Sequence, residues 1–212
     1  MKTDAFIEFL AKGSRAEPAP ALSHKLFWAL SIAGLLSLAL ALTIIGPLPA
    51  ETFMTPTPWI KFAYTVSLAV AATFLTIRLA RPVADRRAPS VWLGLVLLAM
   101  LAYGAWHLVL TPEQAKQQAL FGQTSLLCPW LVLLVSLPGL FALQLALRAF
   151  GPVHLSQAGF ACGLLAGAIG ATAYAMACPE DSPTFVAVWY TLGIVLTSAV
   201  GAISGRWLLR WS

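Results

Sequence analysis

Three cysteines stand in a chain of 212 residues that carries little charge: Cys128, Cys162 and Cys178. Thiols are bridged, oxidised or loaded with soft metals according to what lies beside them. Cys162 precedes Cys178 within one apolar run, and at 1.5 Å per residue the two lie about 24 Å apart on a helix. A disulfide needs Cα atoms within about 7 Å, so Cys162 stands apart. Cys128 opens a different apolar run in LLCPW, and Cys178 closes its own in MACPED. Pro129 suits the first turn of a helix and leaves Cys128 near the positive end, where thiolate is favoured. Pro179 stops the other helix and leaves Cys178 at a negative end beside Glu180 and Asp181. The pattern predicts an asymmetric couple, with Cys128 attacking and Cys178 its partner. Three chemistries are open to that couple: a passive structural disulfide, a reversible redox switch, or a soft-metal site in which His107 and Asp181 join the two thiols. Cys162 reads as a small apolar residue.

The elements that must position these residues are membrane spans. The chain is 59% hydrophobic and 10% charged, whereas a soluble domain carries about 25% charged residues. Six runs near the length that crosses a bilayer fall at 25–45, 59–79, 91–110, 126–147, 157–177 and 185–205. Without strand alternation they read as helices, which satisfy their own backbone in lipid. The fold class is therefore all-α, a polytopic bundle of six transmembrane helices. Residues 1–24 form an N-terminal segment, 25–206 the bundle and 207–212 a short end. Residues 1–23 are too mixed for the apolar core of a cleavable signal, so the first span is expected to target the chain.

Orientation follows from the basic residues. Eleven of the thirteen Lys and Arg lie on one face, among them Lys2, Lys12, Arg81, Arg86, Arg87 and Arg210. Only Lys61 and Lys116 lie on the other, with half of the acids. The positive-inside rule then makes both termini cytoplasmic and turns CPEDSP outward. The net charge of +5 thus reports topology and not nucleic-acid binding. Trp59, Trp92, Trp106, Trp130, Trp189 and Trp207 fall near span ends, as interfacial anchors do.

Several functions lack their signatures. Apart from Lys61 and Arg78 near their ends, the spans hold no charge, which counts against a transporter or exporter subunit. A membrane thiol oxidoreductase would want two cysteine pairs. No nucleophile–base set or phosphate loop is visible, so the chain is not expected to be an enzyme and implies no resident cofactor.

Gly159, Gly163 and Gly167 in the fifth span face a similar series in the sixth, Gly193, Thr197, Gly201 and Gly205. Such ladders let helices approach closely in lipid, and they predict a tight antiparallel hairpin. Pro138 predicts a kink in span four. At the N-terminus MKTDAFIEFLAKGSR reads as a short amphipathic helix, with Phe6, Ile7, Phe9 and Leu10 as apolar anchors. It suits the membrane surface or a groove on a partner protein.

The order of a short MKTDxxIxxLA start, six spans, a cysteine before span four, CPEDSPTFVAVWYTLGI and a terminal GxxxGRWLLRW resembles the NrsF family across nearly the whole chain. Those proteins are six-span inner-membrane anti-sigma factors acting on extracytoplasmic-function (ECF) sigma factors. The resemblance implies a cytoplasmic portion that holds a sigma factor inactive. It also implies that two outward cysteines, matching Cys128 and Cys178, sense oxidants or heavy metals. Phe6, Ile7, Phe9 and Leu10, with Arg81, Arg86 and Arg87, are the expected partner-binding residues. Ala177 stands where the family pattern often has a histidine, which counts against metal ligation more than against thiol oxidation. Transient heavy-metal binding at the pair is the one cofactor-like event expected.

Overall fold

The computed structural model describes residues 19–80 and 87–210, with side chains described over 24–80 and 88–210. Phe6, Ile7, Phe9, Leu10, Arg81 and Arg86, and the side chain of Arg87, lie outside this description.

Among the described residues six helices are long and apolar enough to cross a membrane, and there is no strand. In chain order the helices are α1 (Ala19–Ile44), α2 (Pro56–Leu79), α3 (Arg87–Leu110), α4 (Glu113–Phe121), α5 (Cys128–Arg148), α6 (Leu155–Ala175) and α7 (Pro183–Leu208). All but α4 are the spans. Except at the starts of α1 and α3, their ends fall within three residues of the sequence expectation, because Pro56, Pro129 and Pro183 occupy first turns, where a missing N–H costs nothing.

Helix α6 is the axis of the bundle, with α2, α5 and α7 packed around it. Helices α1 and α3 lie at the edge with most side chains turned outward, towards lipid. The composition of α6 explains its place: a helix of alanines and glycines admits neighbours on every side. Its tightest partner is α7. A Cβ on Gly163 would sit 2.5 Å from the Thr197 carbonyl oxygen, and one on Gly205 would sit 2.8 Å from the Gly159 Cα. The expected glycine ladder is thus a backbone-to-backbone contact. Gly163→Leu or Gly201→Leu must push the two helices apart, and each should destabilise the detergent-purified protein by about 3 kcal/mol. The check is a thermal unfolding scan, with Gly34→Leu, which meets nothing within 4 Å, as the harmless control.

Helix α5 is bound to both sides by polar contacts. Pro138 removes one rung of its ladder. One residue past the carbonyl this leaves free, the Ser37 hydroxyl of α1 donates to the Val135 carbonyl at 2.9 Å. Lower down, the buried Gln144 amide donates to the Gly201 carbonyl at 3.0 Å and to Ser204 Oγ at 2.9 Å. A buried amide in lipid needs such partners. Helix α5 is therefore fixed to α7 near one end of the bundle, while Cys128 occupies the other.

Two local features depart from the sequence expectation. Residues 113–121 form the helix α4 and not a plain break. Its nine residues bury only Ala119, so apolar periodicity gives no signal. The second is a π-helical turn at Val186–Tyr190, near the start of α7. Such turns gather at functional sites, and this one lies beside the cysteines.

Candidate functional site

The segment after α6 and the segment before α5 are tied together by one carboxylate. Helix α4 ends at Gly122, whose φ of 52° is in the left-handed region. The turn exposes successive backbone N–H groups, an arrangement that cradles anions. Glu180 fills it. Its Oε1 accepts from Gln123 N at 2.7 Å, Thr124 N at 3.0 Å and Thr124 Oγ1 at 3.0 Å. A Cβ at residue 122 would run into that carboxylate. The Thr124 carbonyl in turn accepts from Cys128 N at 2.8 Å, which seats the first residue of α5. Ser182 Oγ donates to the Ala119 carbonyl at 2.6 Å, and Trp189 Nε1 to the Leu120 carbonyl at 2.7 Å. Glu180 and Ser182 of CPEDSP, with Trp189 of α7, thus hold α4 and the entry to α5.

Beneath this clasp lie the sulfurs. Cys128 and Cys178 are free thiols, neighbours in space and completely buried. The Tyr174 hydroxyl lies within reach of both. The Tyr190 hydroxyl lies close to Cys178 yet completes no hydrogen bond among the described residues, and it is buried. The two tyrosine rings pack at 5.5 Å between centroids. Cys162 is buried in the apolar core, with no charged group beside it.

The fifth member is Lys61, on α2, a lysine with no exposed surface. Its Nζ donates to the Cys178 carbonyl at 3.1 Å. Cys178, Asp181, Glu180 and Cys128 are the groups that surround it electrostatically. The sequence expectation set Cys128 at a positive helix end against Cys178 at a negative one. That contrast is incomplete, since Lys61 brings an N–H donor to the Cys178 side and Glu180 spends its oxygen on the 122–124 turn. Both thiols are also closed off from water, although they sit at the ends of their helices.

His107, the expected third metal ligand, is engaged elsewhere. Its Nδ1 lies 3.3 Å from Thr184 Oγ1, and that hydroxyl donates to the Gly104 carbonyl at 2.9 Å. Among the described residues no three His, Cys, Asp or Glu side chains gather as a metal site. The set Cys128, Cys178 and His107 is therefore not assembled. Trp189 also differs from expectation: it is half-buried and locks α4, whereas Trp59, Trp92, Trp106, Trp130 and Trp207 are exposed as interfacial anchors are.

Comparison with known proteins gives the frame for this arrangement. The family described as "Negative regulator of sigma F" matches residues 10–211. The chain belongs to the NrsF family. It is 35% identical over 215 residues to the "Probable anti-sigma-F factor NrsF" of Azospira oryzae, covering all of both chains. It is 35% identical over 219 residues to the "Anti-sigma-F factor NrsF" of Caulobacter vibrioides, again over both full lengths. No solved structure matches.

In this NrsF-family chain the sequence pointed to the two cysteines but not to Lys61, Tyr174, Tyr190, Gly122 or the use of Glu180. A lysine inside an apolar helix was the available signal, since a charge within a span is by default functional. Its place about five residues from the helix start made it look peripheral. Glu180→Gln should loosen the clasp, because a neutral amide accepts more weakly than a carboxylate. A loss of about 1.4 kcal/mol raises the open population about tenfold. The check is the rate at which a thiol reagent labels Cys128 and Cys178 in the purified protein.

Proposed function

We propose that this protein is a membrane-embedded anti-sigma factor. It holds an ECF sigma factor at the cytoplasmic face of the inner membrane and releases it when the outward cysteine pair is oxidised. The tail anchors Phe6, Ile7, Phe9 and Leu10, with Arg81, Arg86 and Arg87, form the sigma-binding surface. In this topology both termini are cytoplasmic, as the asymmetry of Lys and Arg requires. The observation that carries the sensing part is the juxtaposition of Cys128 and Cys178 under a clasp that joins α4, α5, α6 and α7.

The mechanism is a change of packing. In the holding state both thiols are reduced and the Glu180 clasp is closed. A two-electron oxidant removes two electrons and two protons from the pair, and an S–S bond forms. A thiophilic metal bridging the two sulfurs would impose a similar constraint. Sulfurs drawn to bonding distance pull the start of α5 against the end of α6. Helix α6 is welded to α7 by backbone contact, so the pair moves as one stiff unit. Helix α5 is pinned to that unit through Gln144 near the opposite end, which carries the motion towards the sigma-binding face. A coupling of this kind is reciprocal and amounts to about 1–3 kcal/mol.

Co-purification tests the reading. The detergent-solubilised protein should bring a sigma factor with it, and oxidation should lower the yield of that partner. Recovery of a transported ion or of a reduced dithiol substrate, with no sigma factor, would favour the transporter or oxidoreductase instead.

A further inference from the structure

The buried cluster holds more hydrogen-bond donors than its protein partners use. Lys61 Nζ carries more than one N–H donor, and one of them goes to the Cys178 carbonyl. The Tyr190 hydroxyl is fully buried and unpartnered among the described residues. An unsatisfied buried hydroxyl is costly, so its presence calls for an occupant or a chemical role. Tyr174 adds a second hydroxyl that reaches both sulfurs. Three donors from α2, α6 and α7 thus converge on the reactive pair.

We propose that Lys61, Tyr174 and Tyr190 form a donor site against Cys128 and Cys178 that receives the oxygens of a small hydroperoxide. The proposal rests on the redox-sensing reading and names its oxidant. The acceptor chemistry follows from the donors: a lysine amine and two hydroxyls suit an oxygen that gains negative charge as it leaves. Asp181 and Glu180, the acids nearest Lys61, balance its charge without forming an ion pair with it among the described residues.

The step balances as follows. One sulfur of the pair attacks the nearer peroxide oxygen, an S–O bond forms and the O–O bond breaks. The departing oxygen takes up a proton equal to the one lost by the thiol, and leaves as water or an alcohol. The second thiol then displaces hydroxide from the sulfenic acid, giving the disulfide and a second water. The peroxide gains two electrons and the pair loses two. Lys61 and the tyrosines act at the first step, where charge builds on the leaving oxygen.

The test compares two oxidants on the reduced, purified full chain. Hydrogen peroxide must expel an oxygen; diamide, an azo electrophile, oxidises thiols without doing so. Lys61→Met keeps the length of the side chain without its charge, and Tyr190→Phe removes only an unpartnered hydroxyl. Disulfide formation is followed by intact mass after alkylation. Each variant should slow the peroxide reaction about tenfold or more, with the diamide rate held within about twofold of wild type. Equal slowing with both reagents would show that the substitutions merely displace the sulfurs. Unchanged peroxide rates would show that the donors are unused. Either result overturns the donor site and leaves the sensor standing. Failure of the wild type to form the Cys128–Cys178 bond with either reagent would remove the sensor as well. Tyr190→Phe keeps the question decidable if the lysine variant does not fold.

Discussion

Cells carrying Cys128→Ser or Cys178→Ser should no longer raise sigma-dependent transcription on oxidative challenge, while Cys162→Ser cells should respond as wild type does. The contrast is strong because all three thiols are equally buried, so burial does not separate them. Neighbours do. Cys128 and Cys178 share Tyr174 and lie within the field of Lys61, whereas Cys162 has only apolar surroundings. Serine is close to cysteine in size, and the packing cost of each change is about 1 kcal/mol. Loss of response must therefore be read at equal protein level. A double Cys128/Cys178 variant that still responds normally would take the pair out of signalling.

The second large effect is expected in the N-terminal segment. Phe6→Asp with Phe9→Asp should switch the target genes on without any stress, with the protein still in the membrane. Two carboxylates placed on an apolar docking face lose its burial and add desolvation, together several kcal/mol, against an interface whose anchors supply most of the binding. Reporter activity should reach the level of a strain without the regulator. The two changes precede the first apolar run in the sequence and leave all six runs intact. Repression that survives the double change would move the docking surface towards Arg81, Arg86 and Arg87.

Much of the architecture was legible in the sequence because lipid leaves so few solutions. A run of about twenty apolar residues ended by proline or charge is a span, and the six here fall almost where the helices do. The glycine ladders were legible for the same reason: a missing side chain at every fourth position is an invitation to backbone contact. The site was legible only in its sulfurs. Glu180 reads as a solvated acid until the left-handed turn at Gly122 is seen to present N–H groups to it. Tyr174 and Tyr190 look like ordinary apolar positions, since which side of a glycine-rich helix meets the thiols is decided by packing. Lys61 lies 117 residues from the carbonyl it binds, a separation that no local pattern encodes. Helix α4 was missed because its stability comes from Ser182 and Trp189 reaching over from α7, and not from its own periodicity.

The coupling between the two faces is measured most directly as sigma-factor affinity for one preparation in a lipid nanodisc, first reduced and then oxidised to the Cys128–Cys178 disulfide. The account predicts weaker binding after oxidation by about 5–150-fold, restored by reductant. The same affinity in both states, with the disulfide verified by mass, would contradict it.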